Sequence, residues 1–298
     1  MIYDLIIIGL GPAGISAAIY AKRAGIKILG LESEAPGGLL NKINAVDNYP
    51  GYKHVMGPDL AFQMYEQIND LGVEYKIKKV TNIEVNGDIK RVYCNEEVFE
   101  AKNIIIATGR KAKKLGLKNE NKFVGKGVSY CATCDGALYK GKDVAVVGGG
   151  NSAIEEALYL ANIVNKVYLI HRRDEFRAEQ ELVDNLKDMN NIEILYNRTV
   201  TELVGEENLE KIVLDDGKEL EVSCLFTYVG YEPYSDFLSD LSITDEKGYI
   251  KVDENYQTSI KGIFAVGDAI LKKVYQIVTA TSEGAIAALE VAKRVKKG

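Results

Sequence analysis

Asp4-Leu-Ile-Ile-Ile-Gly-Leu-Gly-Pro-Ala-Gly14 occurs a second time, in altered form, as Asp143-Val-Ala-Val-Val-Gly-Gly-Gly-Asn-Ser-Ala153. The offset is 139 residues and holds without a gap from Asp4 over Asp143 to Glu32 over His171. Seven of these 29 positions are identical: Asp4, Gly9, Gly11, Ile15, Ala18, Tyr20 and Lys27 match Asp143, Gly148, Gly150, Ile154, Ala157, Tyr159 and Lys166. Each copy reads as a short β-branched strand, a glycine turn, an Ala-rich helix and a second strand, Lys27 to Leu31 in the first copy and Lys166 to Ile170 in the second. In that setting the pattern G-x-G-x-x-G/A predicts a dinucleotide-binding unit. Gly9 and Gly148 permit the turn, Gly11 and Gly150 admit a pyrophosphate to the backbone, and Gly14 and Ala153 keep helix against strand. The phosphate charge then lies at a helix N-terminus, where unpaired N–H groups and the helix dipole favour it. The repeat predicts an α/β protein with two Rossmann-like, three-layer nucleotide-binding domains.

The two copies differ where the second strand ends, 23 residues after the first glycine. The first ends in Glu32, a carboxylate suited to accepting hydrogen bonds from ribose hydroxyls. The second ends in His171-Arg172-Arg173, with Arg177 following. A carboxylate would repel a ribose 2′-phosphate, whereas planar guanidinium groups grip one. The first unit is therefore expected to hold the ADP half of FAD or NAD, and the second NADP. A solvated basic face at a helix start is the competing reading of the arginines; their place after a Rossmann strand argues against it.

Length and composition agree with this. A chain of 298 residues has room for about two domains at roughly 150 residues each. Hydrophobic residues are 47% and charged residues 27%, an ordinary globular mixture that excludes collagen-like and coiled-coil structure. With 37 Lys plus Arg against 43 Asp plus Glu, the net charge is −6, so no whole-molecule attraction draws it to nucleic acid or an anionic membrane. Four cysteines are too few for a disulfide scaffold and point to a reducing compartment, so the expected location is cytoplasmic. Leu5 to Ala21 resembles a signal-peptide core, but no Lys or Arg precedes it and glycines and a proline interrupt it.

Asn103 to Gly109 and Ser223 to Gly230 are apolar runs ending in glycine, each placed to close one unit. Gly262 to Asp268 is a further strand ending in an acid, and the helix after it, near Gln276 to Val295, has one apolar face. This C-terminal piece is expected to return to the first domain. The organisation becomes a discontinuous domain, 1–113 with 246–298, interrupted by an inserted domain, 114–245. Polar crossings near Lys111 to Lys122 and Thr244 to Gly248 would form a double hinge.

Cys131-Ala-Thr-Cys134 is the sharpest chemical signal. C-x-x-C serves as a redox dithiol or as half of a zinc site, or occurs by coincidence. Four-ligand zinc needs a second pair, and Cys94 and Cys224 are single, distant and inside strand-like runs that read as small buried hydrophobes. A redox dithiol needs an electron source, and FAD relays the two electrons of NADPH. Asp135 follows Cys134 directly and could exchange the proton of thiol–disulfide chemistry or cap a helix.

These motifs together resemble the low-molecular-weight, bacterial-type thioredoxin reductases over essentially the whole chain. The matching segments are Gly9-Leu-Gly-Pro-Ala-Gly14, Pro36-Gly-Gly38, Asn48-Tyr-Pro-Gly51, Ala107-Thr-Gly109, Cys131-Ala-Thr-Cys-Asp-Gly136, Gly148-Gly-Gly-Asn-Ser-Ala153, His171-Arg-Arg-Asp-Glu-Phe-Arg177 and Phe264-Ala-Val-Gly-Asp268. The resemblance implies FAD against Gly9, Gly11, Pro12, Ala13, Gly14, Glu32, Gly37, Gly38, Leu39, Asn48, Val80, Ala107, Thr108, Gly109, Gly267, Asp268, Gln276 and Ile277. It implies NADPH against Gly148, Gly150, Asn151, Ser152, Ala153, His171, Arg172, Arg173 and Arg177. Cys131, Cys134 and Asp135 would be catalytic, with Cys134 facing the flavin and Cys131 attacking the substrate disulfide. A homodimer, thioredoxin as a separate acceptor and rotation of the inserted domain are implied as well. The chain departs from the family pattern at Leu39, where Gln is usual, at Tyr275, where Arg is common before Gln276, and at Thr281-Ser282, which replace Ala-Gly. A relative drawing electrons from ferredoxin, or reducing another small disulfide, is the alternative enzyme; a catalytically silent nucleotide sensor is the alternative from another class.

Overall fold

The computed structural model describes residues 1–43 and 45–297. The chain divides into two compact units, Met1–Lys111 with Glu232–Gly298, and Ala112–Tyr231. It crosses between them through the short strands Arg110–Ala112 and Tyr231–Pro233, which pair with each other.

In the first unit β1 (Ile2–Ile8) lies at the centre of a seven-stranded sheet. Its β-branched run suits a strand covered on both faces, and Leu5, Ile6 and Ile7 are fully buried. It pairs in parallel with β2 (Ile28–Glu32) on one side and with Glu97–Ile106 on the other. Side chains alternate across the sheet. Leu5 and Ile7 join a core with Ile15, Ala17, Ala287 and Val291, while Ile6 and Ile8 join one with Phe237, Leu238 and Ile250. Each such buried Ile or Leu stabilises the fold by roughly 1.5–3 kcal/mol. The strand Ile263–Ala265 pairs in parallel with Glu97–Ile106, so the C-terminal piece lies in the first sheet. The apolar run from Asn103 ends as a strand at Ile106, leaving Ala107-Thr-Gly109 as the loop beyond it.

α1 (Pro12–Arg23) starts with Gly11 as N-cap and Pro12 in its first turn. It packs on the C-terminal helix Ile277–Lys297 through small residues: a Cβ on Gly284 would lie 2.1 Å from the Ala13 carbonyl oxygen.

The second unit repeats the plan. Its five-stranded parallel sheet runs Val128–Ser129, Cys224–Tyr228, Asp143–Gly148, Lys166–His171, Ile192–Tyr196. The closing strand Cys224–Tyr228 pairs with Asp143–Gly148 as Glu97–Ile106 pairs with β1. A three-stranded antiparallel sheet (Val200–Val204, Lys211–Leu214, Glu219–Glu221) packs beside it. The return to the first unit falls at Tyr231–Glu232, earlier than the expected 245/246. The reason is burial: Phe237, Leu238 and Ile243 belong to the core that holds Ile6 and Ile8. The outward crossing at Lys111–Ala112 lies at the start of the expected segment Lys111 to Lys122.

Candidate active site

Both glycine turns have the form a pyrophosphate needs. Neither N-cap, Gly11 or Gly150, carries a capping side chain, and neither helix has an acidic residue in its first turn. The orphan N–H groups of Ala13, Gly14, Asn151 and Ser152 therefore sit at positive helix ends with no competing carboxylate on those turns. A Cβ on Gly150 would touch nothing, and one on Gly11 would meet only the Gly38 Cα at 3.8 Å. Those two positions are open to an approaching phosphate. The other glycines act by packing. Gly9 is left-handed (φ 94°) and its Cβ would lie 2.5 Å from the Ala107 carbonyl oxygen. A Cβ on Gly14 would lie 1.9 Å from the Gly9 carbonyl oxygen. Gly148 is not left-handed; its side is closed by Ala153 Cβ at 2.6 Å and the Tyr228 carbonyl oxygen at 2.7 Å. The first glycine of the second copy is thus required by close approach and not by the turn.

Glu32 is buried at the end of β2, and its carboxylate is held by backbone donors: Leu10 N–H at 2.7 Å, Ser33 N–H at 2.6 Å and Glu34 N–H at 3.1 Å. The Gly37 N–H donates to the Leu10 carbonyl at 2.7 Å, which ties the Pro36-Gly-Gly38 loop to the glycine turn. Asn48 and Gln276, far apart in sequence, meet through a 3.3 Å hydrogen bond. Thr108 donates to the Tyr234 carbonyl at 2.8 Å, and Gly109 is left-handed at φ 66°. Leu39 and Ile277 are half-buried at the starts of their helices, whereas Val80 packs into the apolar core with Leu31 and Ile83. Asp268 is pinned by Arg110, Nε at 3.1 Å and Nη2 at 2.8 Å, and faces the Lys272 ammonium at 3.5 Å. Lys272 also pairs with buried Glu283 at 3.1 Å, and Glu283 accepts the Gly267 N–H at 2.7 Å. Arg110, Lys272 and Glu283 were not legible in sequence, because nothing in their spacing marks them.

In the second unit Arg172, Arg173 and Arg177 are exposed, and among the described residues none of the three guanidinium groups forms an ion pair or side-chain hydrogen bond. The Arg177 N–H donates to the Gly149 carbonyl at 2.7 Å, which draws this loop onto the glycine turn. His171 differs from its neighbours. It is buried, its Nε2 lies 3.0 Å from the Glu175 carbonyl, and a Cβ on Gly149 would fall 2.2 Å from its ring. Burial lowers its pKa, so it is a neutral packing group beneath the turn and not a fourth cation for the phosphate. Asn151 and Glu179 exchange two 3.0 Å hydrogen bonds at the helix start.

Cys131 and Cys134 form a disulfide with Cα atoms 5.3 Å apart. Cys131 is the buried N-cap of the four-residue helix Ala132–Asp135 and its Sγ accepts the Cys134 N–H at 3.2 Å, while Cys134 is exposed. Ser129 accepts the Cys131 N–H at 3.1 Å and donates to Asp135 Oδ2 at 2.7 Å, so Asp135 is held against the dithiol turn. Ala132, between the cysteines, donates its N–H to the Tyr228 hydroxyl at 2.8 Å. Burial, with the nearby Glu156 carboxylate, pushes the Tyr228 pKa far up and keeps this phenol neutral. Ser129 and Tyr228 lie in apolar strand runs that gave no sign of them. Cys94 and Cys224 are free and buried, and burial raises their thiols to about 11 and about 12, as inert hydrophobes require.

Two open glycine turns, a carboxylate after one, uncommitted arginines after the other and a disulfide in the second unit define a nucleotide-dependent disulfide oxidoreductase. Residues 3–284 match the family model described as pyridine nucleotide-disulphide oxidoreductase, and the chain belongs to that family. It is similar to the thioredoxin reductase of Mycoplasma genitalium, 44% identical over 98% of this chain and 95% of that one. It is similar also to the solved thioredoxin reductase of Lactococcus lactis, 42% identical with TM-score 0.92 over 99% of this chain and 100% of that one. A ferredoxin-flavin thioredoxin reductase from Clostridium acetobutylicum is 34% identical, with TM-score 0.57 over 100% and 99%.

Proposed function

We propose that the protein is a thioredoxin reductase that passes electrons from NADPH through FAD and the Cys131–Cys134 pair to thioredoxin. The observation that carries this reading is the disulfide in the same unit as a glycine turn whose following arginines form no side-chain ion pair among the described residues. FAD, when bound, supplies a two-electron relay between nicotinamide and disulfide. The first-unit residues fit it: the Gly11 turn would admit the pyrophosphate, Glu32 would accept from the ribose hydroxyls, and Asp268, Asn48 and Gln276 would offer polar contacts for the rest. Val80 supports this site by packing. Arg172, Arg173 and Arg177 would grip the 2′-phosphate of NADPH at the Gly148–Gly150 turn.

Opening the disulfide takes two electrons and two protons, and gives two thiols. Asp135, oriented by Ser129, is the carboxylate placed to exchange one of these protons. In the discharge step the Cys131 thiolate attacks a thioredoxin sulfur, forming a mixed disulfide and expelling a thiol. Cys134 then attacks Cys131, restoring the internal disulfide and releasing reduced thioredoxin. Its two carriers lie on two units, so the cycle uses rotation of the inserted unit about its crossings. We place the protein in the cytoplasm as a homodimer; exposed Val278, Ile286 and Leu289 on the C-terminal helix support an apolar contact there. No helix among the described residues is long and apolar enough to cross a membrane.

The test is the absorbance spectrum of the purified protein, followed by NADPH titration with and without thioredoxin. A flavin spectrum bleached by NADPH and restored by oxidised thioredoxin is expected. Reduction by ferredoxin with indifference to NADPH would favour the alternative donor, which the Clostridium similarity keeps in view.

A further inference from the structure

We propose that Arg110 is a positioning residue for the flavin: it fixes the Asp268 carboxylate and holds a cation over Tyr275, the residue before Gln276. The proposal rests on the reading that FAD lies against Asp268.

Asp268 lies in the short turn Gly267–Ala269 that follows the strand Ile263–Ala265. Arg110 opens the strand Arg110–Ala112 directly after Gly109. Both side chains are largely out of water, 18% and 19% exposed, so their pairing is weakly screened. Arg110 directs two N–H donors at one oxygen, Oδ2, at 3.1 and 2.8 Å. Among the described residues the other oxygen, Oδ1, faces the Lys272 ammonium at 3.5 Å and accepts no hydrogen bond, which leaves it able to accept a hydroxyl. One carboxylate oxygen is thus anchored and the other is presented.

The same guanidinium lies over the Tyr275 ring, 4.0 Å from its centroid. Such stacking favours Arg over Lys and holds the group flat. Tyr275 immediately precedes Gln276 and is an aromatic platform, and the charge standing on it belongs to Arg110. The local balance depends on that charge. Asp268 and Glu283 are matched by Arg110 and Lys272, and without Arg110 two carboxylates would share one ammonium. Reduction adds negative charge to a flavin, so losing the cation both loosens the cofactor and disfavours its reduced form.

The experiment compares the unaltered protein with Arg110→Ala, Arg110→Lys and the double variant Arg110→Ala/Tyr275→Arg. Apoprotein of each is titrated with FAD by fluorescence quenching, and each flavin midpoint potential is measured against reference dyes. Arg110→Ala should weaken FAD binding by roughly tenfold or more, the loss of a charge-assisted contact, and move the potential to more negative values. Adding Tyr275→Arg should recover most of both. Arg110→Lys, which keeps the charge but loses the fork and the flat stack, should fall between. An Arg110→Ala protein with unchanged FAD affinity and potential overturns the proposal. So does a double variant that folds, judged by circular dichroism, yet recovers neither quantity. If Arg110→Ala does not fold, the decision rests on Arg110→Lys, whose equality with the unaltered protein in both quantities is again fatal. Absence of FAD binding by the unaltered protein would instead overturn the flavin reading itself.

Discussion

Arg172 and Arg173 directly follow the strand Lys166–His171, Arg177 lies four residues further on, and all three are exposed with no anionic side-chain partner among the described residues. Replacing Arg172 and Arg173 by Gln removes two charge-assisted contacts of roughly 1.5–3 kcal/mol each. The KM for NADPH should rise tens-fold or more while that for NADH changes little, checked by steady-state kinetics with both nucleotides. Glu156 gives a second test at this scale. It is buried at 9% exposure, its Oε2 has no hydrogen-bond partner among the described residues, and burial, then the neighbouring Glu155 charge, pushes its pKa up to about 7. The folded pKa exceeds the unfolded value, so the fold prefers the neutral acid. The penalty is absent below about pH 4.3, grows as pH rises toward 7 and is complete above it. Glu156→Gln should therefore stabilise the protein at pH 8, by up to about 3 kcal/mol, and leave it unchanged at pH 4. Thermal melting at the two pH values measures this; equal shifts at both would contradict it.

Among the elements, the glycine turns were legible because both the spacing and the flanking apolar runs repeat. The reason for each glycine was not, because only packing shows which Cβ would collide. Gly284 illustrates the point. Nothing in the sequence sets it apart within the C-terminal helix, yet it is where that helix meets α1, with the Ala13 carbonyl oxygen 2.1 Å from any added Cβ. Gly284→Ala should force the two helices apart and cost about 1–3 kcal/mol, whereas Ser282→Ala, exposed on the same helix, should stay within about 0.5 kcal/mol. Chemical denaturation of the two variants tests the contrast. The dithiol helix makes the same argument from the opposite side. At four residues, Ala132–Asp135 is too short to persist alone and is held by Ser129, Tyr228 and the burial of Ala132.

For the molecule as a whole, the two units have separate cores and are joined by two crossings, Lys111–Ala112 and Tyr231–Glu232. NADPH and the dithiol belong to one unit in the proposed cycle, and the flavin to the other. A single rigid arrangement cannot serve hydride transfer, dithiol reduction and a protein substrate in turn. Domain motions of this kind take microseconds to milliseconds. A crosslink that pins Cys134 at the flavin should block flavin reduction by NADPH and leave reduction by dithionite intact, as stopped-flow absorbance would show. Hydride transfer at the normal rate in the pinned protein would refute the rotation.

The sequence by itself determined the two Rossmann-like units, the acid after one turn and the arginines after the other, and the dithiol. Each of these is a local pattern whose chemistry is written in residue type and spacing. The tertiary structure alone decided where the inserted unit ends, because residues 232–243 are assigned by the partners of Phe237 and Leu238, Ile6 and Ile8, at the far end of the chain. It also decided that His171 is a neutral support and that Arg110 reaches Asp268 from 158 residues away. Burial and long-range pairing are properties of the assembled chain; periodicity and spacing carry no record of them.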